Sequence, residues 1–394
     1  MQTVTRRIAV TTGLIMGIAL SGCSSDGDGD TTAKPSAPTT TTSAAAEVAP
    51  SNRSVPGVSV QKTLATDLNV PWGVAFLADG SALVAERPTG RVVRVGANGG
   101  TKPVGTVPGV ADQGEGGLLG LAVRPLTADQ TEDEPDGLST AAAIAQTTVF
   151  AYFTSTAGDN RVVQMSFDGS KLGAVTPVLT GIPSGGRHNG GLVTVGPDGK
   201  LWIGTGEGGE TSRSQNRANL GGKILRINLD GSIPEDNPFP GSPVYSLGHR
   251  NVQGLAFDST GQPWAVEFGQ NRWDELNRIV AGGNYGWPEV EGKEAKDGFI
   301  EPLVQWTTDE ASPSGMTIVD DVAYVGGLRG ERLWQVPLSG TTTGTPKAYL
   351  QGEFGRIRNV AAAPGGGLWI TTSNRDGRGD PRSDDDKVIR LTLK

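Results

Sequence analysis

One motif recurs six times along this chain, and that recurrence limits the fold more than any other feature. Each copy has an apolar-alternating run, a turn often built on Asp-Gly or Pro-Asp-Gly, and a second run rich in Trp, Val and Ile. The copies begin at Val74 (VAFLADGSALVAE), Leu121 (LAVRP, then TTVFAYF), Val193 (VTVGPDGKLWIGT), Leu255 (LAFDSTGQPWAVE), Met316 (MTIVDDVAYVG) and Val360 (VAAAPGGGLWITT). Period-two alternation around such a turn is the mark of a β-hairpin. A third apolar run follows each copy, often with arginine at a similar place, as in RVVRV from Arg91, KILRI from Lys223 and KVIRL from Lys387.

Starts about 44 to 72 residues apart suit four-stranded blades with loop insertions, so the fold class is all-β, a six-bladed β-propeller over residues 55–394. A pair of β-sandwiches would give no reason for six copies of one motif. The 59 Gly, 25 Pro and 19% charged residues agree, because they favour tight turns over long helices. The run from Gly57 to Leu64 precedes the first complete copy and is expected to pair with the last blade, closing the ring. Two insertions stand out. Leu126 to Gln146 is acidic and then Ala-rich, a surface excursion with room for one short helix. Glu207 to Leu220 (EGGETSRSQNRANL) is a polar loop of the kind that bears function on rigid scaffolds.

In blades related by rotation, the loops entering the first strand occupy equivalent places and gather at one end of the axis. Those loops contribute Trp72, Glu115, His188 with Asn189, His249 with Arg250 and Asn251, Ser312 with Ser314, and Arg358 with Asn359. Both histidines of the chain fall in this set, and Arg250, Arg356 and Arg358 are expected to face the same opening. A lone His or Arg in such a loop is ordinarily structural, but this concentration points to a site. Planar guanidinium forks suit a polycarboxylate, and a neutral His beside them suits removal of a hydroxyl proton. The oxygen-rich segments Glu267-Phe268-Gly269-Gln270 and Trp273-Asp274-Glu275 suit a hard cation such as calcium. Zinc-spaced Cys/His clusters, the phosphate-cradling GxxxxGK[ST] and the G-x-S-x-G elbow are missing from the sequence. A net charge of −8 and no basic stripe argue against a nucleic-acid partner.

The N-terminus speaks to location. Arg6 and Arg7, the apolar run Ile8 to Leu20 and then Leu20-Ser21-Gly22-Cys23 read as a signal peptide over residues 1–22. Leu-Ser-Gly-Cys resembles the bacterial lipobox, which implies lipidation of Cys23, the only cysteine. A diacylated Cys23 would hold the protein on the extracytoplasmic face of the cell membrane. Residues 23–54 are Ser, Thr, Pro and Ala with almost no large apolar side chain, the composition of a disordered tether.

From about Pro71 to the C-terminus the chain resembles the glucose/sorbosone dehydrogenase family, soluble aldose sugar dehydrogenases that use pyrroloquinoline quinone (PQQ) and calcium on a six-bladed propeller. The resembling pieces are VPWGVAF, GEGGLLGLAV, RHNGGLVTVGPDGKLWIGTGE, GGKILRINLDGSIPEDNPF, the stretch from Val244 to Pro288, SPSGM and RIRNV, in the family's order. The resemblance implies His188 as the general base toward a C1 hydroxyl, with Glu207 orienting its ring. It implies PQQ contacts at Glu115, His188, Arg250, Asn251, Arg329, Arg356 and Arg358, with Arg250 also stabilising developing negative charge. It implies Ca²⁺ at the loop of Glu267, Gly269 and Gln270, held by the backbone carbonyls of the two latter residues. An aldose substrate and an unidentified electron acceptor follow from the same resemblance. Members read Glu-His-Gly-Pro in the calcium loop, where this chain reads Glu267-Phe268-Gly269-Gln270. A second reading therefore stands beside the enzyme: a propeller lipoprotein that binds a carbohydrate, an envelope component or a protein without turnover.

Overall fold

The computed structural model describes residues 55–124 and 139–394. These form six antiparallel sheets in sequence order, each beginning at its innermost strand. The innermost strands are Pro71–Phe76, Leu118–Val123, Leu192–Val195, Val252–Phe257, Pro313–Val319 and Ile357–Ala362. Each packs against the next, and the sixth against the first, so the six-bladed propeller closes as the repeat predicts. The N-terminal strand Val58–Ala65 pairs with the C-terminal strand Val388–Leu393, completing the sixth blade with the two ends of the chain. One departure from four strands per blade occurs in the fifth, which carries a fifth strand because the short pieces Thr342–Thr343 and Lys347–Tyr349 both pair with Arg332–Ser339. The insertion from Leu126 to Gln146 contains the expected short helix, Thr140–Ala145, started by Ser139 Oγ accepting Ala142 N–H.

The alternating strands bury both faces, because each blade stacks between two others. Six apolar clusters fill the six interfaces: Leu83, Val92, Leu121 and Phe153 meet between the first and second blades, and Trp264, Leu276, Met316 and Trp334 between the fourth and fifth. Glycine makes the close approach near the axis possible. A Cβ on Gly73 would stand 2.5 Å from Leu121 N and 2.6 Å from Leu119 O, backbone atoms of the next blade.

Five of the six innermost strands break register near their entry, at Trp72–Gly73, Leu119–Gly120, Gln253, Ser314–Gly315 and Arg358. A bulge re-aims the side chain it holds. Four of these residues, Trp72, Gln253, Ser314 and Arg358, lie at the axial end where the entry loops meet. The expected signal peptide, Cys23, the expected tether and the acidic part of the insertion from Leu126 to Gln146 lie outside the described residues. Among those residues, no helix is long and apolar enough to cross a membrane.

Candidate active site

Two sets of loops build the mouth of the ring. Because the two inner strands of a blade are antiparallel, the loop entering the first strand and the loop leaving the second meet at the same end. Thus Pro71 faces Glu86, Val252 faces Glu267, and Pro313 faces Gly327. Between these loops lies a cavity of ≈ 420 Å³ lined by five arginines, Arg87, Arg329, Arg356, Arg358 and Arg378, against two carboxylates, Glu115 and Asp376. Trp72, Gln253, Phe268 and Ser312 complete much of the wall.

The sixth blade supplies the most ordered part. Asp376 Oδ2 accepts from Arg356 Nη2 at 2.9 Å and from Arg358 Nη2 at 3.3 Å. Arg358 Nη1 also donates to Gln253 Oε1 at 3.0 Å, and Ser314 Oγ donates to the same oxygen at 2.9 Å. Burial pushes the Arg358 guanidinium down to about 10, with Asp376 pulling it back up. Burial works against ionisation of Asp376 as well, yet the charges of Arg358 and Arg356 hold its carboxyl below the usual range.

The third blade supplies the ring nitrogen. His188 has φ 56, the left-handed region that a non-glycine residue enters at a cost of about 1–2 kcal/mol. Three contacts keep it there. Its N–H donates to Glu115 Oε2 at 2.9 Å, its carbonyl accepts Gly208 N–H at 2.9 Å, and its Nδ1 lies 2.7 Å from Glu207 Oε1. Gly206 permits this packing, since a Cβ there would run into the His188 carbonyl. With Glu207 ionised, Nδ1 carries the proton and donates it, leaving Nε2 as the basic nitrogen. Glu115 also pairs with Arg378 Nη2 at 2.7 Å. Burial raises its carboxyl, but the His188 N–H and the Arg378 charge bring it below the ordinary value.

The fourth blade supplies Arg250, whose guanidinium sits 5.4 Å from the Trp287 ring centre and donates Nη1–H to Phe268 O at 3.2 Å. Burial lowers its pKa, while the carboxylates of Glu207, Glu291, Glu115 and Glu267 act in the opposite direction. Asn251 Oδ1 accepts Gly190 N–H at 2.9 Å, tying the third and fourth blades together.

The structure brings Glu115, Arg329, Arg356 and Arg358 onto one cavity wall, with His188 and Arg250 behind it, joined through Glu115 and Phe268. Arg329 is the outlier, 60% exposed and paired with Asp309 at the rim. His249 does not face the opening. Its ring is fully buried, bonded to Glu267 Oε1 at 2.7 Å and Ser246 Oγ at 2.8 Å, and stacked on Tyr285. Glu267, which the resemblance assigns to the calcium loop, has its carboxylate engaged by His249 Nδ1, Arg250 N–H and Asn277 Nδ2. Gly269 and Gln270 spend their N–H groups on Asp274 Oδ1 and Glu291 Oε1, while no hydrogen bond among the described residues ends on their carbonyl oxygens.

Arg87, Asp376 and Arg378 were not predicted from the sequence, because they stand after the second strand of their blades and outside the entry loops. The signal was present: a hairpin returns to the end it started from, so the RPT segment after Glu86 and the NRDGRGD segment after Ser373 had to reach the same mouth.

The family model described as Glucose / Sorbosone dehydrogenase matches residues 68–379. Among solved structures, the PQQ-bound aldose sugar dehydrogenase of Streptomyces coelicolor is 50% identical, covering 86% of this chain and 100% of that one, with a TM-score of 0.80. An uncharacterized protein of Synechocystis is 34% identical over 79% of this chain and 83% of its own length. Quinoprotein glucose dehydrogenase B of Acinetobacter calcoaceticus is 33% identical over 61% of this chain, a match that spans 54% of that enzyme.

Proposed function

The chain belongs to the glucose/sorbosone dehydrogenase family, and from that premise we propose that it oxidises the C1 hydroxyl of aldose sugars with PQQ and Ca²⁺. We further propose that it works on the extracytoplasmic face of the cell membrane, anchored through lipidated Cys23. The observation that carries the enzymatic reading is the His188–Glu207 pair, a histidine held through Nδ1 by a carboxylate behind a cavity lined by arginines.

The donor set fits a planar quinone bearing several carboxylates. Arg250 Nε, Asn251 Nδ2 and Arg358 Nε are buried and have no hydrogen-bond partner among the described residues. Leaving such a donor unpaired costs about 1–3 kcal/mol, a deficit that an anionic ligand removes. Arg356 and Arg358 would hold carboxylates, and Arg250 with Asn251 would hold quinone oxygens. The uncommitted carbonyls of Gly269 and Gln270 suit a hard cation. When bound, the quinone supplies the acceptor for the hydride from C1, and Ca²⁺ polarises it as a Lewis acid.

The protein's own part is proton chemistry and placement. His188 Nε2 takes the C1 hydroxyl proton as the C–H bond breaks, and Glu207 stabilises the imidazolium that results. Arg250 offers positive charge where negative charge develops. The sugar is the small-molecule partner, and the electrons pass on to a separate acceptor.

Dye reduction by the purified protein tests the reading, with PQQ, Ca²⁺ and a panel of aldoses. Cofactor-dependent reduction is expected. If no reduction appears and calorimetry detects no quinone binding, the reading fails and a non-catalytic binder takes its place. For the anchor, Cys23→Ser should release the protein from the membrane fraction and abolish labelling by a radioactive fatty acid. Unchanged fractionation and labelling would remove that part.

A further inference from the structure

Five consecutive backbone N–H groups, from Gly269 to Trp273, are all captured by carboxylates. Gly269 donates to Asp274 Oδ1 at 3.0 Å. Gln270, Asn271, Arg272 and Trp273 donate to a single atom, Glu291 Oε1, at 2.7, 3.0, 3.0 and 3.1 Å. Successive N–H groups converging on one point form a concave anion nest, usually filled by a phosphate or another external anion. Here the chain fills its own nest. Glu291 arrives from the turn after Trp287 and Pro288, 18 to 21 residues further along than its four donors. Burial opposes its ionisation, but the N–H groups of Arg272, Trp273, Asn271 and Gln270 hold its carboxyl below the ordinary value.

We propose that Glu291 is the positioning residue of the candidate cofactor site, folding loop 268–273 around its carboxylate so that the Gly269 and Gln270 carbonyls and Arg250 take their places. The reasoning is geometric. A peptide that aims its N–H at a carboxylate aims its C=O the opposite way, so an internal anion on the N–H side sets the direction of the carbonyls. The same loop begins at Phe268, whose carbonyl accepts Arg250 Nη1 at 3.2 Å, so the loop's shape also sets the guanidinium. Asp274 fastens the other flank, since its Oδ2 accepts Ser312 N–H from the fifth blade at 2.6 Å. Gln270 adds one donor to the nest. Its N–H requires an acceptor, and Glu291 meets it at the shortest distance of the four.

This inference rests on the PQQ and Ca²⁺ reading for its functional consequence, but the loop mechanism can be tested without either. Hydrogen exchange of the Gln270 to Trp273 amides would be compared in the wild type, Glu291→Ala and Glu291→Gln, alongside thermal midpoints and calorimetric titration with PQQ at fixed Ca²⁺. Glu291→Ala should speed exchange of those four amides at least 100-fold while amides in the blade strands stay protected. It should also weaken PQQ binding at least tenfold. Glu291→Gln, which keeps one acceptor oxygen without the charge, should fall between. Amides that remain protected in Glu291→Ala would overturn the proposal, as would PQQ affinity within twofold of wild type despite their loss of protection. A wild type that binds no PQQ would remove the proposed function, and the exchange data alone would then decide the role of Glu291.

Discussion

His188 Nδ1 lies 2.7 Å from Glu207 Oε1, with the two side chains only 8% and 1% exposed. A buried carboxylate at that distance holds the ring by Nδ1 and leaves Nε2 as the nitrogen free to act. Replacing His188 with Ala should lower kcat by about 10²–10⁴-fold, the usual worth of a general base, with quinone affinity close to wild type. Glu207→Gln should cost about 10–100-fold in kcat and little in KM. Steady-state kinetics with calorimetry on both variants measures this, and loss of quinone binding in His188→Ala would show that the ring holds the ligand instead.

Arg356 and Arg358 share one counter-ion, Asp376, whereas Arg329 pairs at the exposed rim with Asp309. A charge-assisted bond in a buried site is worth about 1.5–3 kcal/mol, and an exposed pair about 0–1 kcal/mol. Arg356→Ala and Arg358→Ala should therefore each weaken PQQ binding about 10–100-fold, and Arg329→Ala by a few-fold at most. Titration calorimetry separates the three. A larger loss at Arg329 than at Arg358 would mean that the ligand sits at the rim.

Lys223 is buried and donates Nζ–H to the carbonyls of Arg213, Ser214 and Gly221 at 2.7, 3.0 and 2.7 Å. Burial pushes its ammonium down from 10.5 to about 7. The unfolded chain keeps this proton up to its ordinary value, so above about 7 the unfolded state binds more protons than the folded one. Stability from this residue accordingly rises with pH through that window, and the cost of burying the charge is felt in full below it. Urea unfolding at pH 6.5 and pH 9 should show the wild type gaining on Lys223→Met by on the order of 1–3 kcal/mol at the higher pH. A gap that does not change with pH would mean that the ammonium stays charged across the range.

Gly73 sets the distance between the first and second blades, since its Cβ would press on the Leu121 and Leu119 backbone. Backbone cannot swing aside as a side chain does. Gly73→Ala should cost about 3 kcal/mol, at the upper end for overpacking. Gly186→Ala, where a Cβ meets nothing within 4 Å, should stay within about 0.5 kcal/mol. Denaturant melts of the two variants check the pair, and equal losses would show that the ring expands freely.

The repeat and the closing strand were legible because they rest on local periodicity. Alternation from Val74 to Glu86 specifies a hairpin wherever it occurs, and six such hairpins leave few ways to bury both faces of every sheet. The entry loops were legible for the same reason, which is how Glu115, Arg356 and Arg358 were found. Asp376 and Arg378 were harder, because their loop has no periodicity and gains meaning only once the strand before it has a direction.

The two histidines mark where sequence reasoning stops. His188 and His249 stand in equivalent entry loops, and each places Nδ1 2.7 Å from a glutamate that ends or follows the second strand of its blade. By sequence they are alike. In the folded protein His188 retains 8% side-chain exposure behind the cavity, while His249 is fully enclosed between Tyr285 and Ser246. Periodicity determined the fold and the end of the axis where the functional loops meet. The turn carrying Tyr285 stacks over His249, and among the described residues no ring stacks over His188. That contact joins residues far apart in the chain, so only the tertiary structure settles which of the two rings is fully enclosed.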